Sequence, residues 1–224
     1  MNIALKNTKD VKEVADFIAS SILKQLDLGK KVLFFIAGGS SIPVAVAVAV
    51  ANNLKKDLLL NLVVVLTDER YGEIDHKDSN LFQLKEKGFI LPNARIIPVL
   101  IGEDIDITTD KFNKNLEEEF VLADYKIGLF GIGTDGHTAG ILPDSIGVAS
   151  EKLVCYYDTP TFRRITMTGK AIKKLDEVIV FTQGKEKDVV IKDLQEKKID
   201  EMKQPAQILK KVPLLTIFNI KLEI

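Results

Sequence analysis

Residues 32–43 read Val-Leu-Phe-Phe-Ile-Ala-Gly-Gly-Ser-Ser-Ile-Pro, and residues 44–51 continue as Val-Ala-Val-Ala-Val-Ala-Val-Ala. No charge falls between residues 32 and 54, and the stretch is long enough to cross a bilayer. Gly38, Gly39, Ser40, Ser41 and Pro43 cut it in two, which favours a strand, a glycine turn and a buried helix. The 44–51 segment alternates with period 2, as a strand might. Alanine is nevertheless the best helix former, Pro43 suits a first helical turn, and Ser40 or Ser41 suits an N-cap. We read it as a helix.

Short apolar runs recur at 62–67, 96–100, 127–132, 178–182 and 214–219. They are apolar on consecutive positions, as strands covered on both faces are. Helical spacing appears between them, in Val11, Val14, Ala15, Ile18 and Ile22, in Phe112, Leu116 and Phe120, and in Val190, Ile191 and Leu194. The alternation predicts an α/β fold with a mainly parallel sheet. No internal repeat or Pro/Ser-rich linker interrupts it, so residues 1–224 read as a single domain.

The chain has 224 residues, 46% of them hydrophobic and 28% charged, which excludes disorder and collagen-like structure. Lys and Arg number 31 against 32 Asp and Glu. That balance argues against a general binder of nucleic acid or anionic membrane. Cys155 has no second cysteine to pair with and lies in an apolar run, which fits a reducing, cytoplasmic setting. Residues 1–12 carry no apolar stretch of the kind a cleaved signal has. Histidine occurs only at 76 and 137, and arginine only at 70, 95, 163 and 164, so imidazole and guanidinium chemistry have few addresses.

Three segments carry that chemistry. The Gly38-Gly39-Ser40-Ser41 loop joins strand to helix; its amides and the helix dipole suit a phosphate, although a tight turn alone explains the glycines. Gly131-Ile132-Gly133-Thr134-Asp135-Gly136 matches the dinucleotide pattern G-x-G-x-x-G. Gly140, Pro143 and Gly147 deny it the long following helix, and His137 comes directly after it, so a catalytic loop is the better reading. There His137 serves as a general base, and Asp135 orients it or holds substrate hydroxyls. Third, Asp68-Glu69-Arg70 follows an apolar strand: Arg70 suits phosphate, and Asp68 or Glu69 suits hydroxyls or the placement of Arg70. Asp78, Ser79 and Asn80 read as cap candidates for the next helix, and His76 as an exposed loop histidine.

In this order the segments resemble the 6-phosphogluconolactonases. That family shows a Ser-Gly-Gly-Ser-like loop, Asp-Glu-Arg followed by Ser-Asn, then Gly-x-Gly-x-Asp-Gly-His-Thr-Ala before a proline. An Arg-Ile-Thr segment and a Gly-x-x-Lys come later. Here they stand as residues 37–41, 68–70, Ser79-Asn80, residues 131–139 with Pro143, Arg164-Ile165-Thr166 and Gly184 to Lys187. Ala37 stands where the first serine is usual, Gly140 replaces a common serine, and the usual tryptophan before Asp-Glu-Arg is absent.

The resemblance implies a three-layer, Rossmann-like sheet with helices on both faces, similar to aminosugar-phosphate deaminases and ribose-5-phosphate isomerases. It implies a carboxylic ester hydrolase that converts 6-phospho-D-glucono-1,5-lactone to 6-phospho-D-gluconate in the oxidative pentose phosphate pathway. It assigns catalysis to His137, Asp135 and Arg70. Substrate and phosphate would fall to Gly38, Gly39, Ser40, Ser41, Asp68, Gly133, Arg164 and Lys187, with Arg163 a weaker candidate. Oxyanion donors would be amides between Gly133 and Gly136, or an arginine. No cofactor or metal is expected, and the partner is a small phosphorylated sugar lactone bound by a monomer or small homo-oligomer. Two rivals remain. A glucosamine-6-phosphate deaminase would need a glutamate where Leu142 precedes Pro143. A non-catalytic phosphosugar-binding module would need no turnover.

Overall fold

In the first helix, α1 (Val11–Asp27), Val14, Ala15, Ile18, Ile22 and Leu26 recur at helical spacing and form its buried stripe. Asp10 starts it by accepting the Lys12 amide at 2.8 Å. The computed structural model describes residues 3–8 and 10–220. The Val/Ala segment is helical, α2 (Ile42–Asn52), and packs on α1. Its buried residues Val44, Ala45, Val48, Ala49 and Asn52 follow the helical period, so burial sides with propensity against the period-2 pattern.

Strands β1 (Ile3–Thr8), β2 (Val32–Ile36), β3 (Leu62–Leu66), β5 (Arg95–Ile97), β6 (Tyr125–Phe130), β9 (Glu177–Gln183) and β10 (Leu214–Ile220) make a seven-stranded sheet. Its order is β1-β10-β9-β6-β2-β3-β5, and every pairing is parallel. All five residues of β2 are buried, so layers cover both of its faces. The predicted three-layer α/β architecture is present. The run expected to reach residue 100 stops as a strand at Ile97, because Pro98 offers no amide to the ladder.

Chain order places the site. From β2 the chain winds outward through β3 and β5; from β6 it winds the other way through β9 and β10, and the first strand, β1, lies outside β10 at the edge. The reversal falls between neighbours β2 and β6, and in open α/β sheets ligands bind beyond the strand ends at such a point. Both glycine loops leave from there.

A second sheet was not legible in the sequence. Strands β4 (Asp68–Arg70), β7 (Val154–Asp158) and β8 (Arg163–Met167) pair antiparallel in the order β4-β8-β7. Three helices with capping acceptors or short spans complete this end: α3 (Asn80–Glu86), α4 (Ile105–Leu122) and α5 (Ile146–Ala149). Short α6 (Gly169–Ile172) and then α7 (Asp188–Glu196) follow. Where a dinucleotide fold needs a long helix after its glycine motif, the chain forms only the four-residue α5. Among the described residues no helix is long and apolar enough to cross a membrane.

Candidate active site

The carboxyl ends of β2, β3, β6 and β9 deliver residues 37–41, 68–70, 131–138 and 184–187 to one cavity of about 220 Å³. That is below the ~300–1,000 Å³ of pockets for drug-sized ligands and suits a small one. Nine predicted residues line it: Gly38, Gly39, Ser40, Asp68, Arg70, Gly133, His137, Arg164 and Lys187. Two do not. Ser41 lies buried behind the loop, its Oγ unpartnered beside Gly131. Asp135 sits behind His137 rather than in the cavity wall.

His137 and Asp135 form a built pair. The Asp135 carboxylate accepts the His137 amide at 3.1 Å and contacts the ring Nδ1 at 2.7 Å. A proton held on Nδ1 leaves Nε2 as the basic nitrogen. Burial pushes the Asp135 carboxyl up, but the His137 amide and the nearby ring outweigh it and hold the group below its ordinary value. The imidazole is 41% exposed, open to water on one side. Gly133 makes room for it: a methyl group there would lie 2.1 Å from His137 Nδ1 and 2.5 Å from Asp135 Oδ1.

Two of the four amides from Gly133 to Gly136, expected as oxyanion donors, are committed to the loop. The Gly133 amide donates to the His137 carbonyl at 2.9 Å, and the Gly136 amide to the Gly133 carbonyl at 3.0 Å. From a remote segment, the Ala206 amide donates to the Gly136 carbonyl at 2.8 Å and braces the loop.

Across the cavity stands the small antiparallel sheet. Asp68 pairs with Thr166, Glu69 with Ile165 and Arg70 with Arg164. Alternation turns Asp68, Arg70 and Arg164 to one face and Glu69 to the other. The Arg164 Nη1 donates to Asp68 Oδ2 at 2.7 Å, with side chains only 17% and 6% exposed. The Arg70 Nη1 donates to the Asp78 carbonyl at 2.7 Å, and its guanidinium lies 5.3 Å from the Phe162 ring centre. The Nε atoms of both arginines are buried without a partner. Such unmet donors are costly until an acceptor arrives. Three cations, Arg70, Arg164 and Lys187, face one carboxylate, Asp68, leaving two positive charges for a ligand.

Glu69 is neither a solvated loop residue nor a hydroxyl ligand. It is buried, and its carboxylate accepts the Arg70, Asn80 and Leu81 amides and the Ser79 hydroxyl. Burial pushes this carboxyl up, and those four donors pull it back only in part. It ties β4 to the start of α3, where Ser79 is the cap as predicted. Asn80, next to it, was missed as a cavity residue: its Nδ2 donates to the Asp68 carbonyl at 2.8 Å and its Oδ1 is unpartnered. Arg163 points elsewhere, to Asp158 at 2.9 Å, and exposed Arg95 pairs with Glu119.

Gly140, the departure from the common serine, has a physical reason. Its φ is +74°, and a Cβ would lie 2.6 Å from that of Asp68. Tyr157 secures this turn: its hydroxyl donates to the Gly140 carbonyl and accepts the Leu142 amide. Burial raises the Tyr157 hydroxyl above its ordinary value, which keeps it a neutral donor.

Fold and site together define a doubly wound α/β protein with a histidine–carboxylate pair facing a cationic wall at its switch point. The chain belongs to the glucosamine-6-phosphate isomerases/6-phosphogluconolactonase family, which it matches over residues 6–216. It is 31% identical over 195 residues to a 6-phosphogluconolactonase of Neisseria meningitidis, covering 79% of this chain and 80% of that one. The crystal structure of the 6-phosphogluconolactonase from Thermotoga maritima superposes with a TM-score of 0.81 at 22% identity, over 98% of this chain and 100% of that one. A monomeric glucosamine-6-phosphate deaminase superposes at 0.79 with 17% identity, covering 98% of each chain, a likeness of fold.

Proposed function

We propose that this chain hydrolyses 6-phospho-D-glucono-1,5-lactone to 6-phospho-D-gluconate in the oxidative pentose phosphate pathway. The observation that carries the reading is His137, backed by Asp135, in the same small cavity as Arg70, Arg164 and Lys187. Its two net positive charges suit a phosphate monoester, which carries about −1.5 to −2 at neutral pH.

Water attacks the lactone carbonyl carbon while His137 Nε2 takes its proton. Such a positioned base contributes roughly 10²–10⁴-fold. Asp135 holds the ring and balances the imidazolium that forms. An amide of the loop or an arginine faces the developing oxyanion. When the tetrahedral species collapses, the bond from carbon to ring oxygen breaks. The imidazolium returns its proton to that oxygen, which becomes a hydroxyl of the product, and the new acid ionises. Arg70, Arg164, Lys187 and the Gly38–Ser40 loop hold the phosphate, and Asp68 fixes Arg164. The whole chain works as one domain, in the cytoplasm, as a monomer or small homo-oligomer, without nucleic acid or membrane.

The deciding experiment measures loss of freshly made 6-phosphogluconolactone with spontaneous hydrolysis subtracted, beside ammonia release from glucosamine 6-phosphate. Enzyme-dependent lactone loss without ammonia is expected. Ammonia release would establish the deaminase instead. Binding of 6-phosphogluconate without any acceleration would establish the non-catalytic module.

A further inference from the structure

The second histidine is not the exposed loop residue its polar neighbours suggested. His76 is half-buried, and its Nε2 lies 2.9 Å from the main-chain carbonyl of Arg70. A carbonyl accepts only, so Nε2 carries the proton and donates. The ring packs on Gly72, where a Cβ would lie 3.0 Å from it. The main chain of the same residue is tied at both ends: its amide donates to the Glu73 carbonyl at 3.3 Å, and its carbonyl accepts the Ser79 amide at 2.9 Å. Ser79 in turn caps α3 and bonds Glu69.

The loop between β4 and α3 therefore closes around Arg70 from two sides. His76 fixes its carbonyl, and the Asp78 carbonyl fixes its guanidinium. Arg70 ends β4, and its carbonyl is met not by β8 but by His76 in the following loop. The Tyr71 amide reaches the Arg163 carbonyl at 2.8 Å, and His76 adds the tie on the opposite edge. We propose that His76 is a positioning residue for Arg70, holding its main chain so that the guanidinium projects into the cavity beside Arg164. The proposal rests on the phosphosugar reading of this site, because Arg70 is what it positions.

The test is a double-mutant cycle between His76→Ala and Arg70→Ala, read by calorimetric binding of 6-phosphogluconate and of inorganic phosphate, with KM and kcat for the lactone. His76→Ala should weaken binding and raise KM by about tenfold, the loss of one well-placed hydrogen bond. His76→Gln, which keeps a donor, should recover most of it. In the Arg70→Ala background, His76→Ala should change affinity by less than about twofold. Equal losses in both backgrounds, or a lowered melting temperature with unchanged affinity, would overturn the proposal. If His76→Ala does not fold, His76→Leu fills the same space without a donor and serves in its place. Wild type that binds 6-phosphogluconate without hydrolysing lactone would sink the lactonase reading and leave the His76 test intact.

Discussion

Arg70 and Arg164 stand directly opposite one another across the antiparallel pairing of β4 and β8. Like charges in that relation repel. Asp68 offsets one of them, and the Asp78 carbonyl and the Phe162 ring support the other. A dianion entering between them would relieve the remainder.

Ligand binding should therefore stabilise the fold. At a 6-phosphogluconate concentration about 100 times Kd, the gain is ~2.7 kcal/mol, or roughly 5–10 °C in Tm for a chain of this size. Arg70→Ala should raise KM more than it changes the unliganded melting temperature. Unaltered inhibition by 6-phosphogluconate in that variant would remove Arg70 from the binding site.

His137→Ala should lower lactonase turnover by about 10²-fold or more, with circular dichroism unchanged. A rate near that of wild type would end its assignment as general base.

Asp135→Asn keeps an oxygen near the ring but removes the charge that balances the imidazolium. Turnover should fall by ~10–10²-fold with little change in KM, a weaker version of the loss seen when a buried triad aspartate is neutralised. Asp135 is half exposed, so its loss should scarcely alter stability. A variant with raised KM and full turnover would instead make Asp135 a substrate ligand.

Gly133→Ala tests the room the catalytic loop needs. Its methyl would meet His137 Nδ1 at 2.1 Å and Asp135 Oδ1 at 2.5 Å. Turnover should drop by about tenfold or more while phosphate binding persists, because the arginines lie on another sheet. Unchanged kinetics would show that the loop relaxes freely.

Burial pushes the Cys155 thiol up to about 12, from an ordinary value of 9.0. The fold thus disfavours its thiolate. That contribution to stability is complete below pH 9 and is lost as pH rises toward 12. At pH 8 the native thiol should react with an alkylating reagent far more slowly than the unfolded chain. Similar rates with and without denaturant would contradict its burial.

Much of this was written in the linear pattern. A short β-branched and aromatic run such as Val32 to Ile36, closed by glycines, specifies a strand buried on both faces, because alternate side chains of a strand point both ways. The spacing of Val14, Ile18 and Ile22 marks a helix by the same logic. His137, Asp135 and the two glycine loops were legible because short-range chemistry at a strand end leaves a local signature. The sequence by itself determined the alternating α/β architecture, the glycine loop that carries His137 and the supply of cations. Only the tertiary structure decided which residues meet. The antiparallel sheet that sets Arg70 against Arg164 joins segments far apart in the chain, with strands as short as Asp68–Arg70. So short a strand has too little periodicity to announce itself, and its pairing is fixed by burial and hydrogen bonds to a partner that the local sequence does not contain. The same reason hid Glu69 as the tie between β4 and α3, and His76 as the holder of Arg70.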